Sequence, residues 1–231
     1  MIEIKNLKKV YAGRTVVNIE NLEFGPGETI GLVGNNGAGK TTLFRMLLDL
    51  IKPDFGEILS KDADVSRLDQ WKNYTVSYLD EGFLIDYLTP EEYFVFIGSL
   101  HDKTAAHVHD YLKRYEEFFN GEILASGKYI RDFSKGNQNK IGIAAAIMQD
   151  PELLVLDEPF ANLDPTTQIR LKTLIRNLQQ DHHVTTLISS HDLNHVTDVC
   201  DRIILMEKGL IIKDLRTDEN TLNELEAYFS E

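Results

Sequence analysis

The chain has little that would tie it to an oxidising compartment, a bilayer or a polyanion. Cys200 is the only cysteine in 231 residues, so no internal disulfide can form, which suits a reducing compartment. No apolar run is long enough to span a bilayer. The opening Met1-Ile2-Glu3-Ile4-Lys5-Asn6 has no basic region followed by an apolar stretch, so no signal peptide is read there. Basic residues are outnumbered, 24 against 37 acidic, and the net charge of −13 argues against broad binding to nucleic acid or to an anionic membrane surface. Tandem repeats, low-complexity segments and Pro/Gly/Ser-rich linkers are also missing, so the chain reads as one domain with a subdomain inside it.

What is there is concentrated in Gly34-Asn35-Asn36-Gly37-Ala38-Gly39-Lys40-Thr41-Thr42. It fits G-x-x-x-x-G-K-[ST], the P-loop pattern. Thr29-Ile30-Gly31-Leu32-Val33 reads as a buried strand entering the loop. Leu43, Met46, Leu47 and Leu50 follow at helical spacing, completing strand, glycine loop and helix. Glycines let the backbone N–H groups converge as an anion nest. The helix that starts near Gly39 adds its positive end. Lys40 is expected to reach the β- and γ-phosphates, and the Thr41 hydroxyl to bind Mg²⁺. The site therefore includes Asn35, Gly37, Ala38, Gly39, Lys40, Thr41 and Thr42.

The rest of the chain alternates in character. Ile2 and Ile4, then Leu22 and Phe24, alternate with polar residues as strands do. Residues 90–132 instead read as helical, opening on Pro90-Glu91-Glu92 and carrying Tyr111, Leu112, Tyr115 and Phe118 at helical spacing. From Asp150 the α/β type returns. Leu153-Leu154-Val155-Leu156 is a buried strand, Leu171, Leu174, Ile175 and Leu178 form a helix face, and Val184-Thr185-Thr186-Leu187-Ile188 is a further strand. Such alternation implies a mainly parallel sheet covered on both faces.

The strand at Leu153 ends in Asp157-Glu158-Pro159. Ligands sit at strand ends of such sheets. Two carboxylates beside a P-loop suit phosphoryl transfer, with Asp157 for Mg²⁺ and Glu158 to orient and polarise the attacking water.

With these residues in view the chain resembles an ATP-binding cassette (ABC) ATPase, the nucleotide-binding subunit of ABC transporters, over nearly its whole length. Phe133-Ser134-Lys135-Gly136-Asn137 stands where that family has its Leu-Ser-Gly-Gly-Gln signature. Ala161-Asn162-Leu163-Asp164 resembles its D-loop, His191 its switch histidine, and Tyr11 the aromatic that stacks on adenine. The resemblance implies a P-loop α/β core with a mainly parallel sheet, an antiparallel β subdomain and an inserted helical subdomain over 90–132. It implies a head-to-tail dimer holding two ATP molecules, with Mg²⁺. Ser134, Gly136 and Asn137 would contact the nucleotide of the facing subunit. His191 would hold the γ-phosphate and Asp164 would sense the partner. The permease would be a separate membrane chain, with this subunit peripheral on the cytoplasmic face.

Three positions depart from the family pattern. Lys135 replaces a signature glycine, a form similar to a subset of stand-alone cassettes that often export. Asn137 replaces the terminal glutamine. The Q-loop, Tyr78-Leu79-Asp80-Glu81-Gly82-Phe83, is one residue short and lacks its Mg²⁺-binding glutamine, so either Asp80 or Glu81 stands there. Other readings are a soluble ABC ATPase acting on a macromolecular complex, a different P-loop enzyme such as a nucleotide kinase, or a degenerate ATP-binding assembly module. The signature-like segment and His191 argue against the kinase. Intact Lys40, Asp157, Glu158 and His191 argue against the degenerate module.

Overall fold

The computed structural model describes residues 1–230. Strands come first: β1 (Ile2–Tyr11), β2 (Arg14–Phe24) and β3 (Thr29–Val33), then helix α1 (Lys40–Leu47) and strands β4 (Phe55–Ser60), β5 (Ala63–Asp64) and β6 (Thr75–Tyr78). A helical stretch follows, α2 (Pro90–Leu100), α3 (Ala105–Arg114), α4 (Glu116–Phe119) and α5 (Lys135–Ile147). The chain then alternates through β7 (Leu153–Asp157), α6 (Pro165–His182), β8 (Thr185–Ser190), α7 (Leu193–Val199), β9 (Arg202–Glu207), β10 (Leu210–Arg216) and α8 (Thr221–Ser230).

Two sheets result. The larger has the order β10-β9-β3-β8-β7-β6, parallel throughout except for β10, which pairs antiparallel with β9. The smaller, β2-β1-β4-β5, is antiparallel. This is the α/β core with an antiparallel β portion that the sequence predicts. Strands β3, β7 and β8 are buried along their full length, which explains why they read as continuous apolar or β-branched runs rather than alternating ones.

The core has two parts. One packs α1 between the larger sheet and the antiparallel sheet, through Leu43, Phe44, Met46, Leu47, Ile4, Val17 and Leu32. The other joins the opposite sheet face to α5, α6 and α7 and to the helices of residues 90–119. Capping fixes where those helices begin. Thr89 and Glu92 form a reciprocal capping box with Pro90 in the first turn, and Thr104 caps α3.

One predicted helix is shorter than its periodicity. Leu50 lies outside α1 and is exposed, because the helix ends at Leu47 and Asp49 turns into the left-handed region at φ 53°. Cys200 is a buried hydrophobe between α7 and β9, and burial pushes its thiol up.

Candidate active site

The parallel strands β3, β7 and β8 deliver their C-terminal ends to one edge of the sheet, as α/β ligand sites require. After β3 the chain enters the loop 34–39. A Cβ at Gly34 would lie 2.1 Å from the Met206 carbonyl oxygen, and one at Gly39, φ 111°, would lie 2.7 Å from the Val16 carbonyl oxygen. Glycine is therefore obligatory at both ends of the turn. Asn35 and Gly37 are exposed, whereas Ala38, Gly39 and Lys40 are buried. The Ala38 N–H donates to the Asn35 carbonyl at 3.0 Å and its own carbonyl accepts from Gly209, which pins the loop to the β9–β10 turn.

Lys40 opens α1 and curls back over the loop. Its ammonium donates to the Gly34 carbonyl at 2.6 Å and stands 3.8 Å from Glu158 Oε1. Burial pulls its pKa below the usual lysine value, with Glu158 and Asp157 acting in the opposite direction. A buried cation held by the Gly34 and Asn35 carbonyls is poised to gain an anion as ligand. Thr42 sits beside it, half-buried.

Asp157 ends β7 with both carboxylate oxygens engaged by hydroxyls. Thr41 Oγ1 donates to Oδ2 at 2.7 Å, and Ser189 Oγ donates to Oδ1. Glu158 follows in a left-handed conformation, φ 49°, that a non-glycine residue adopts at a cost of about 1 kcal/mol. Ser189 holds it there, since its hydroxyl accepts the Glu158 N–H at 2.9 Å. The turn aims the side chain outward, so Oε2 meets His191 Nδ1 at 2.8 Å while Oε1 faces Lys40. The Asp157 and Glu158 carboxylates thus sit in different surroundings although adjacent in sequence.

Tyr11 precedes a two-residue turn, Ala12-Gly13, with positive φ at both positions. Tyr11 is 46% exposed, with the Lys9 ammonium 5.2 Å from its ring centroid. Asp164 caps α6 and accepts from Thr167 N at 3.0 Å and from Thr167 Oγ1 at 2.5 Å. Those bonds hold its carboxyl below the usual range.

The signature residues stand apart from this cluster. Ser134 caps α5, accepting from Asn137 N at 3.3 Å, and is exposed. Gly136 abuts the D-loop, where a Cβ would lie 2.3 Å from the Asn162 carbonyl. The Asn137 amide donates to Glu122 at 3.2 Å. Among the described residues no hydrogen bond links Ser134, Gly136 or Asn137 to the loop 34–42 of the same chain. The Q-loop acids are also engaged elsewhere. Asp80 accepts from Gly82 N at 2.7 Å and lies 4.0 Å from Arg45, while Glu81 pairs with Lys135.

Sequence reasoning passed over two residues that the fold brings into play. Ser189, which no sequence motif singles out, holds both acids. Asn139 on α5 accepts from the Tyr78 hydroxyl at 2.8 Å and donates to the Ala161 carbonyl at 2.9 Å, joining the Q-loop strand to the D-loop. Asn139 lies in the polar opening of α5, Lys135-Gly136-Asn137-Gln138-Asn139-Lys140, so no sequence pattern marks it out.

Similarity to known proteins bears on the family and the fold. The profile of the family described as ABC transporter matches residues 17–161. An AAA domain profile matches residues 127–197. The chain is 33% identical over 223 residues to the bacitracin transport ATP-binding protein BcrA of Enterococcus faecalis, covering 95% of this chain and 70% of that protein. It is 32% identical over 212 residues to the lipopolysaccharide export system ATP-binding protein LptB of Escherichia coli K12, covering 90% and 87%. In fold it is similar to the ATP-binding subunit of an ABC transporter, with a TM-score of 0.87, 24% identity and full coverage of both chains. It is also similar to a dimeric ATP-binding cassette bound to ADP and phosphate, with a TM-score of 0.82, 22% identity and coverage of 94% and 99%.

Proposed function

The chain belongs to the ABC transporter family as an ATP-binding cassette, and we propose that it hydrolyses ATP to drive a membrane permease carried on another chain. The observation that carries the reading is the placement of the Glu158 carboxylate between Lys40 and His191, beside the Thr41–Asp157 pair.

The phosphates of ATP would lie on the N–H groups of the loop 34–39 and the N-terminus of α1, with Tyr11 against the adenine. Lys40 would exchange the Gly34 carbonyl for the β- and γ-phosphate oxygens. Glu158 would orient a water and take its proton as the water oxygen bonds to the γ-phosphorus and the bond to the β,γ-bridging oxygen breaks, giving ADP and phosphate. His191 would steady the Glu158 carboxylate and the γ-phosphate.

Thr41 and Asp157 fit Mg²⁺, being hard oxygen donors already within 2.7 Å of one another. Among the described residues no three His, Cys, Asp or Glu side chains form a self-contained metal cage, which suits an ion that takes its remaining ligands from phosphate and water. When bound, the ion would neutralise phosphate charge.

Ser134 is exposed, Gly136 and Asn137 lie in the first turn of α5, and none of the three bonds to its own P-loop, which supports their use on the nucleotide of a facing second cassette. Residues 90–132 would move as a helical subdomain. Phe83 and Tyr87, 54% and 64% exposed next to the Q-loop, supply apolar surface for a permease. Among the described residues no helix is long and apolar enough to cross a membrane. On the likeness to transporter ATP-binding proteins, this subunit would sit peripherally on the cytoplasmic face through that permease. The direction we infer is export, on the Ser134-Lys135-Gly136 form alone. Relatives named for lipopolysaccharide export and for sulfate/thiosulfate import are both 32% identical to this chain.

Phosphate release tests the reading. Glu158→Gln should bind ATP normally and lose about 10²-fold or more in turnover. Wild-type turnover in that variant would remove Glu158 from the chemistry, whereas ATP binding without turnover in the wild type itself would favour an ATP-binding assembly module.

A further inference from the structure

Lys135, which departs from the family signature, forms an ion pair across 54 residues of chain with Glu81, one of the two acids that could stand at the Q-loop position. Lys135 is the first residue of α5, where the helix dipole is positive and a cation is disfavoured. An acid drawn to that end offsets both the dipole and the ammonium. Beneath the pair lies a second tie. The Tyr78 hydroxyl donates to buried Asn139, and Gly142 leaves room for the ring, since a Cβ there would lie 2.0 Å from Tyr78 Cε2. The end of β6 and the start of α5 are thus joined at a buried point and at an exposed one. Only the exposed one reaches the signature turn.

We propose that Glu81 and Lys135 are positioning residues for the transphosphate site: their pairing turns the Lys135 ammonium away from the facing nucleotide, so that the Ser134 hydroxyl and the Gly136 N–H meet its γ-phosphate. The proposal rests on the two-cassette reading above. It also gives Glu81 a role other than binding metal, because its carboxylate is neutralised by a cation of its own chain. Lys135 holds the Glu81 carboxyl below the usual range. Exposed pairs of this kind add little to stability, so the effect falls on orientation.

The test is charge reversal, made singly as Lys135→Glu and Glu81→Lys and then together. Turnover, MgATP affinity, Mg²⁺ half-saturation and thermal midpoint are read for each, with Lys135→Arg as the conservative control. Each single reversal should lower turnover about 10-fold, leaving nucleotide affinity and thermal midpoint unchanged. The double reversal and Lys135→Arg should recover most of the loss. Single variants with parental turnover, or a double variant no better than either single one, overturn the proposal. A raised Mg²⁺ half-saturation in Glu81→Lys that the second reversal leaves unrescued also overturns it and returns Glu81 to the metal. ATP-dependent dimerisation of Glu158→Gln, measured beside these, isolates the two-cassette reading. Its failure would sink that reading and the trans contact proposed here, whereas failure of the rescue alone would sink only the pair.

Discussion

The ring Nδ1 of His191 lies 2.8 Å from Oε2 of Glu158. The two residues come from the ends of neighbouring strands, β8 and β7, and the backbone N–H of His191 also points at the same oxygen, at 3.4 Å. His191 is therefore placed to fix the rotamer of the carboxylate. His191→Ala should keep MgATP binding and lose about 10²-fold in turnover. Equilibrium nucleotide binding and phosphate release on the same preparation check this, and unchanged turnover would remove His191 from the site.

Ser189 offers a second point of control. Its hydroxyl accepts the Glu158 N–H and donates to Asp157. Ser189→Ala leaves Glu158 without that hydroxyl in a strained left-handed turn and leaves one Asp157 oxygen without its donor. Turnover should fall about 10-fold, more than ATP affinity does, since the lost bond is worth about 1–2 kcal/mol. A steady-state kcat against KM comparison reads the split.

On the proposed reading Lys40 supplies the charged donor to the phosphates. Lys40→Ala removes the charged donor, and MgATP affinity should fall by about 10- to 100-fold, as expected for a charge-assisted bond of about 1.5–3 kcal/mol. A fluorescent-nucleotide titration measures it. Unchanged affinity would contradict the assignment of the loop 34–42.

The P-loop and the Asp157-Glu158 strand end were legible because each is a local pattern, with spacing that dictates its own geometry. Tyr11, Ser134 and His191 were legible only through their order along the chain. What remained hidden is long-range. The Lys135–Glu81 pair, the Tyr78–Asn139–Ala161 bonds and the grip of Ser189 on both acids join residues 22 to 61 positions apart. Periodicity says nothing about such partners. Leu50 shows the converse error, where apolar spacing extended a helix that a left-handed Asp49 stops.

Asp164 gives a pH test. Bonds from Thr167 depress its folded-state pKa below the ordinary 3.8. A depressed carboxyl contributes stability that is present above the unfolded value and is lost as pH falls through the folded one. Asp164→Ala should cost about 1 kcal/mol at neutral pH. The gap from the wild type should narrow below about pH 4, as the wild-type carboxyl protonates. Denaturant unfolding of both proteins at stepped pH measures the gap, and a constant gap would mean that the charge plays no part in the cap.

The central claim is that the P-loop of one copy and the signature of another complete a single nucleotide site. On that proposal Ser134 and Gly136 would make their phosphate contacts only when ATP fills the facing loop, so nucleotide would favour the closed pair. Light scattering on Glu158→Gln, with and without MgATP, tests this most directly. The account predicts a monomeric or weakly associated chain without nucleotide, a dimer with MgATP, and loss of that dimer when Ser134→Arg is added while ATP binding persists. A Glu158→Gln chain that stays monomeric at high protein and MgATP concentration, or that dimerises equally well without nucleotide, would contradict it.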